Sequence, residues 1–357
     1  MLLAVFGFIM LMGFFVVQFL EIVALQVRRQ SLESSADDLR PHAVSALETT
    51  LAVLAEFREI DGAIYGPAQG WEAPLDYAGI PWPEGITVEV TITDEGSLLP
   101  LNGVVNDDTR ERLRNLFDEL EIDEAELYEV SGETVAVLTE SLIDWIDADE
   151  RSGFDGGEAD WYEDRNWPRL PPNRPLTRLE DLRYIRGWRE LFFDTDGAPN
   201  ERFEAFRPHV TLFEGGKVNI NTASETLLYT ALERLGEYFA EDLVDERNGP
   251  DGVAGTADDE VFTTLAEAGL GDDDNASTEM SLIRVEVLVR AAYGQYRIET
   301  LVNAGGSSGS AGDGGGGARN PGGNPPDTRT GSRSGGGSAS GGYPFEINRR
   351  VDNLSLD

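Results

Sequence analysis

The chain has 357 residues, 40% of them hydrophobic, with a formal net charge of −38 and a pI near 4.2. At roughly 150 residues per domain, that length accommodates two compact units. So acidic a chain repels phosphate backbones, which sets nucleic acid aside as a partner and suits divalent cations and a secreted or periplasmic setting. Cysteine is absent, and His42 and His209 are the two histidines. Disulfides and thiolate metal sites are therefore excluded, and a His-based zinc site or a Ser-His-Asp triad is poorly supplied.

The first 27 residues, MLLAVFGFIMLMGFFVVQFLEIVALQV, are almost wholly apolar. About 20 such residues span a bilayer as a helix, so residues 1–27 are predicted to cross a membrane. A signal anchor is the plain alternative, because the basic n-region and small-residue cleavage site of a secretory signal are not evident. Arg28 and Arg29 follow, and the positive-inside rule taken alone would leave the rest of the chain in the cytoplasm. Leu32, Leu39, Val44, Leu47, Leu51, Leu54 and Phe57 continue a helical period over residues 28–60. The expected element is one long helix, bent or locally opened at Pro41.

A Gly-, Pro- and Trp-rich loop leads to ITVEVTITDEG, in which Ile86, Val88, Val90 and Ile92 alternate as in a half-buried strand. The next strands are distant: Leu282–Ala292 and Gln295–Val302 read as a hairpin turning at Tyr293-Gly294. Residues 61–99 and 280–303 are thus expected to build one sheet region, with a last strand within 343–350. Residues 304–342 are Gly/Ser-rich and read as a disordered linker.

Residues 100–279 carry mostly helical patterns and read as an all-α insertion into the sheet region. They contain a faint internal repeat. LPLNGVVNDDTRERLRNLFDEL leads to LTESLIDWIDADERSG, and VNINTASETLLYTALERLG leads to AEDLVDERNGPDG. Each half runs through an Asn-containing segment and an amphipathic helix to a second helix that ends in Asp and a Gly-rich loop. Asn221 or Thr222 is the expected cap of the helix starting near Ala223, with Glu225 as an N3 acid if Thr222 caps.

Two acidic stretches stand out. In TVAVLTESLIDWIDADERSGFDGGEADWY, Leu138, Leu142 and Trp145 share one helical face, and Trp145 reads as core. Asp144, Asp147 and Asp149 then crowd the negative end of that helix, where each carboxylate costs about 0.3–1 kcal/mol. A hard divalent cation would relieve the crowding. Calcium takes six to eight oxygen ligands, and Asp155, Glu158 and Asp160 are placed to return on the loop as further donors. In DERNGPDGVAGTADDE, Asp245, Asp251, Asp258, Asp259 and Glu260 lie among turn-forming glycines and form a second candidate cation site. This stretch lacks the residue order of an EF-hand. A solvated acidic loop is the alternative for the first stretch, and GDDDN at 271–275 reads as a solvated turn. Carboxylates beside Trp145, Trp161 and Trp167 also leave open a membrane-anchored carbohydrate-binding or glycoside-processing protein.

Several of these segments, in this order, resemble one family. KVNINTASETLL closely resembles a segment of the K-type minor pseudopilins of type II secretion, general secretion pathway protein K. VTITDEGSLLPLN, LIDWIDAD, GGEADWY and NRPLTRLEDLRYIRG are similar to the same family, and the resemblance covers about residues 1–303. It implies an α+β fold in which a pilin-like long N-terminal helix packs on an antiparallel sheet, with a helix-hairpin-helix or SAM-like insertion. It implies a role without catalysis, at the tip of a periplasmic pseudopilus anchored in the bacterial inner membrane. The implied partners are the I-type and J-type minor pseudopilins, the major pseudopilus subunit, the secretin and exoproteins. The implied action is to start the pseudopilus that exports folded proteins across the outer membrane. Calcium in the inserted domain is a further implication. Cleavage after a glycine is another, and Gly7-Phe8 is the matching junction, with Met12 where pilin-type precursors usually carry Glu. The leader MLLAVFG departs from the family pattern in having no basic residue. VNINTAS also resembles helix-hairpin-helix modules that bind DNA, but ERLGEYFAE lacks their G-x-G hairpin.

Overall fold

The computed structural model describes residues 2–122, 124–213, 217–232, 237–256, 258–271, 275–304 and 345–352, and most side chains of 2–37 lie outside the description. The linker 304–342 lies almost entirely outside it too. Helix α1 runs from Leu2 to Asp61. It continues through Pro41 rather than opening there, because Leu39 and Ala43 on either side are fully buried against the sheet. Leu39, Ala43, Ala46, Leu47, Leu51 and Leu54 recur every three or four residues and have no exposed surface. Each buried leucine contributes about 1.5–3 kcal/mol of hydrophobic stabilisation. Among the described residues no helix is long and apolar enough to cross a membrane. The membrane expectation for 1–27 and the junction Gly7-Phe8 fall largely on side chains outside them.

After α1 come a short helix, α2 (Pro74–Ala78), and strand β1 (Ile86–Asp94). β2 (Leu99–Pro100) follows, and then the helices α3 (Asp107–Glu119), α4 (Glu124–Ser131) and α5 (Val135–Ile146). Next are α6 (Ala159–Asp164), α7 (Trp188–Phe192) and α8 (Glu201–Phe206), then β3 (Val210–Thr211) and β4 (Val218–Asn219). Helices α9 (Glu225–Ala231) and α10 (Glu237–Asn248) precede β5 (Ala276–Ser277), β6 (Leu282–Ala291), β7 (Gly294–Asn303) and β8 (Glu346–Asp352).

One antiparallel sheet has the order β1-β6-β7-β8. Its inner face, with Ile283, Val285, Val287, Val289, Tyr296 and Ile298, packs with the α1 leucines, Trp71 and Phe345 into one core. The hairpin turns at Ala292-Tyr293, one residue before the expected position, because Ala291 pairs with Gly294. The last strand is displaced as well, to Glu346–Asp352, and a bulge between Leu301 and Val302 shifts its register.

Between β1 and β6 the chain builds a helical body with its own core around Trp145, Tyr162, Trp188, Phe192 and Phe206. The faint repeat is real in three dimensions. β2 pairs in parallel with β3, and β4 with β5. Two residues beyond β2, the Asn102 amide donates to the carbonyls of Leu176 (3.1 Å) and Leu212 (2.7 Å) and accepts from the Leu176 amide (2.7 Å). Two residues beyond β4, Asn221 makes the same three bonds, to the Phe262 and Thr278 carbonyls and from the Phe262 amide. Asn221 is thereby withdrawn from capping. Thr222 is also committed, its hydroxyl donating to Asp94 at 2.7 Å, so Ser224 caps α9 instead.

Sheet and helical body are joined at the end of β1. Asp94 Oδ2 accepts from Ser97, Thr222 and Asn219 at 2.7–3.0 Å, and Oδ1 accepts from the Gly96 amide at 3.1 Å. Asn219 also donates to the Tyr65 carbonyl at 2.7 Å. The adjacent Glu95, 2% exposed, accepts from Thr211 and pairs with Arg284 at 3.0 Å. Buried polar groups satisfied in this way fix a unique arrangement.

Candidate metal centres

Both acidic stretches occupy corresponding places in the repeat, the loop after α5 in the first half and the loop after α10 in the second. Thr134 caps α5 through the Val137 amide, and the helix ends with Asp147 as its C-cap. The chain then loops outward through Phe154 and returns to Glu158 ahead of α6. Asp144 organises this loop. It is 2% exposed, and the Gly153 amide donates to both its oxygens at 3.1 and 3.2 Å. A side chain at Gly156 would place its Cβ 2.0 Å from Asp144 Oδ2, so the close approach of backbone to carboxylate requires glycine there. Arg186 holds the loop from the other side. It donates to both Glu133 oxygens, at 2.7 and 2.8 Å, and to the carbonyls of Asp155 and Gly156. Residue spacing gave no sign of Arg186 or Glu133, because both lie far from the loop in sequence.

The result brings one carboxylate oxygen each of Asp147, Asp149 and Glu158 within 4.8 Å of one another. Asp155 and Asp160 remain exposed outside this group. Glu158 is 6% exposed, and among the described residues neither of its oxygens has a hydrogen-bond donor; Asp147 Oδ1 is buried and equally without one. Burial, and then the charges of Asp144 and Asp147, push the Glu158 carboxyl up to about 7. Burial raises Asp144 and Asp147 too. A buried carboxylate without donors is costly, and an all-oxygen set of this kind is the donor chemistry of a hard divalent cation. Asp147, Glu158 and Asp149 are the residues that would hold one.

The second stretch is built differently. Asp251, Asp258 and Asp259 converge within the same 4.8 Å limit, whereas Asp245 lies on α10 and Glu260 outside the group. Their oxygens are served by the loop itself. Thr256 donates to Asp258 at 2.8 Å, Val253 to Asp251 at 2.8 Å and Gly255 to Asp259 at 2.6 Å. The Thr256 hydroxyl holds the exposed Asp258 carboxyl below the usual range. Glu72, distant in sequence, lies against this loop, and a Cβ on Gly255 would come 1.7 Å from its Oε2.

The carbohydrate and glycosidase readings find less to work with. Trp145 is 1% exposed, and Trp161 and Trp167 meet edge to face at 61°, so these rings form no coplanar platform. A cavity of about 430 Å³ lies at the junction, lined by Trp71, Asp94, His209 and Thr222 among others. There Asp94 is already occupied by four donors.

Comparison with known proteins bears on the same body. No curated protein matches the sequence. A chain from the crystal structure of the GspK-GspI-GspJ complex of the enterotoxigenic Escherichia coli type 2 secretion system is similar in fold. Its TM-score is 0.54 at 16% identity, covering 92% of this chain and 100% of that one. Residues 97–214, from the turn after β1 through the first half of the helical body, match the family described as type II secretion system (T2SS), protein K. Through this segment, the chain is similar to the type II secretion system protein K family.

Proposed function

We propose that this chain is a K-type minor pseudopilin with a pilin-like fold, α1 and the sheet forming the pilin part and the helical body its insertion. The family match over residues 97–214 carries the reading. In this reading residues 1–27 anchor α1 in the inner membrane and the remainder lies in the periplasm. The protein works by assembly rather than catalysis. It joins an I-type and a J-type minor pseudopilin at the tip, starts the pseudopilus of major subunits and so promotes export of folded proteins through the secretin. The fold relative comes from a GspK-GspI-GspJ complex, which supports those partners.

Calcium at Asp147, Asp149 and Glu158 would serve as a clamp that closes the loop from α5 to α6. The donorless buried oxygens of Glu158 and Asp147 support this. Asp251, Asp258 and Asp259 form a secondary site, with less need of an ion. Deleting the gene tests the role in export: secreted proteins should accumulate in the periplasm, and the intact gene should restore release. Unchanged release in the deletion strain would overturn it.

A further inference from the structure

One stretch reverses the charge of the chain, with Glu163 and Asp164 just before it and Glu190 just after. Residues 165–189 hold seven arginines against two acids, Glu180 and Asp181, in a chain of net charge −38. Five of these guanidiniums lie over three aromatic rings, those of Trp161, Trp167 and Tyr184. Arg165 and Arg186 lie over the Trp161 ring at 4.3 and 4.8 Å, Arg189 lies over Trp167 at 5.6 Å, and Arg183 and Arg169 lie over Tyr184 at 4.8 and 5.3 Å. Trp161 and Trp167 are 5.4 Å apart, and the Trp167 indole donates to the Tyr184 carbonyl at 2.8 Å, so the surface is continuous.

Arg186 and Arg169 are internally committed, to Glu133 and Asp181. Arg165, Arg183 and Arg189 have no carboxylate within 4.0 Å among the described residues, although the chain carries 66 acids. The Trp161 carbonyl and the Tyr184 hydroxyl orient the first two. A guanidinium stacked on a ring is already ordered, and its free edge presents the forked donors that fit a carboxylate.

We propose that Arg165, Arg183 and Arg189 form a docking surface for a carboxylate-rich segment of a partner protein. Charge complementarity selects that occupant. A short acidic segment senses the local field within the Debye length, about 8 Å at physiological salt. An extended polyanion, such as nucleic acid or an anionic bilayer, would also meet the repulsion of the remaining negative surface. The surface does not depend on the pseudopilin reading.

The test uses the full chain in non-ionic detergent and a fluorescein-labelled decaglutamate peptide, followed by fluorescence anisotropy. The expected result is saturable binding that weakens as salt rises. The triple variant Arg165→Gln/Arg183→Gln/Arg189→Gln should bind about tenfold or more weakly, a few-fold for each exposed ion pair lost. Its melting temperature should match wild type, and the triple Arg→Lys variant should fall between the two. Absent saturable binding by wild type, or equal binding by the glutamine variant, overturns the proposal. So does arginine-dependent binding of phosphatidylglycerol vesicles without binding of the peptide, which would make this a lipid surface. Self-association abolished by the glutamine variant would assign the surface to a second copy and equally overturn it.

Discussion

Glu158 is a buried carboxylate that no donor among the described residues satisfies. Replacing it with glutamine removes the uncompensated charge and one cation ligand together. Glu158→Gln should therefore melt higher than wild type in chelator and lose the gain wild type shows with calcium. That gain is about 2.7 kcal/mol when calcium is 100 times its Kd. Differential scanning calorimetry with calcium and with chelator decides it, and a variant that still responds to calcium would place the ion elsewhere. Asp147→Ala/Asp149→Ala should lose the response as well. Gly156→Ala should destabilise the metal-free protein by about 1–3 kcal/mol, since its Cβ would lie 2.0 Å from Asp144 Oδ2. Denaturant unfolding measures that loss. The cluster of acids at the end of α5 was legible in the sequence. Which of them face one another was not, because the turn through Gly153 and Gly156 and the clamp by Arg186 depend on contacts remote in sequence.

At the scale of elements, period and alternation located α1, β1, the β6–β7 hairpin and α5. Their ends were harder to read, and each displacement has a local cause. Asn221 or Thr222 was the expected cap of α9, but Asn221 ties Phe262 and Thr278 and Thr222 bonds Asp94, so Ser224 takes that place. The hairpin turn moved because Gly294 pairs with Ala291. The internal repeat was faint in identity because few side chains define it; what the halves share is an asparagine that ties three backbone groups. Asn102→Ala and Asn221→Ala should each cost about 1–3 kcal/mol, as each leaves backbone groups, half-buried around Asn102 and buried around Asn221, without partners. Chemical denaturation of the two variants should give similar losses, and a negligible loss in either would deny that the halves are built alike.

At the scale of the whole molecule, the junction decides whether sheet and helical body move as one. Burial holds the Asp94 carboxyl above the ordinary range. The folded chain then binds a proton at pH values where the unfolded chain does not, so this group adds stability as pH falls through its raised pKa. The gain is complete below the unfolded value of about 3.9. Asp94→Asn should lose about 1–3 kcal/mol at neutral pH, since its amide faces the Asn219 donor. The gap to wild type should widen as pH falls; a narrowing gap would reverse the sign argued here. The insertion between β1 and β6 was legible as a long helical pattern between strands, whereas the junction, assembled from residues as distant as Tyr65 and Asn219, was not. The most direct measurement of the central claim is co-purification of the full chain with the I-type and J-type minor pseudopilins of the same organism, in non-ionic detergent with calcium. A stable complex of all three is the expected result. A folded chain that elutes alone would contradict a place at the pseudopilus tip.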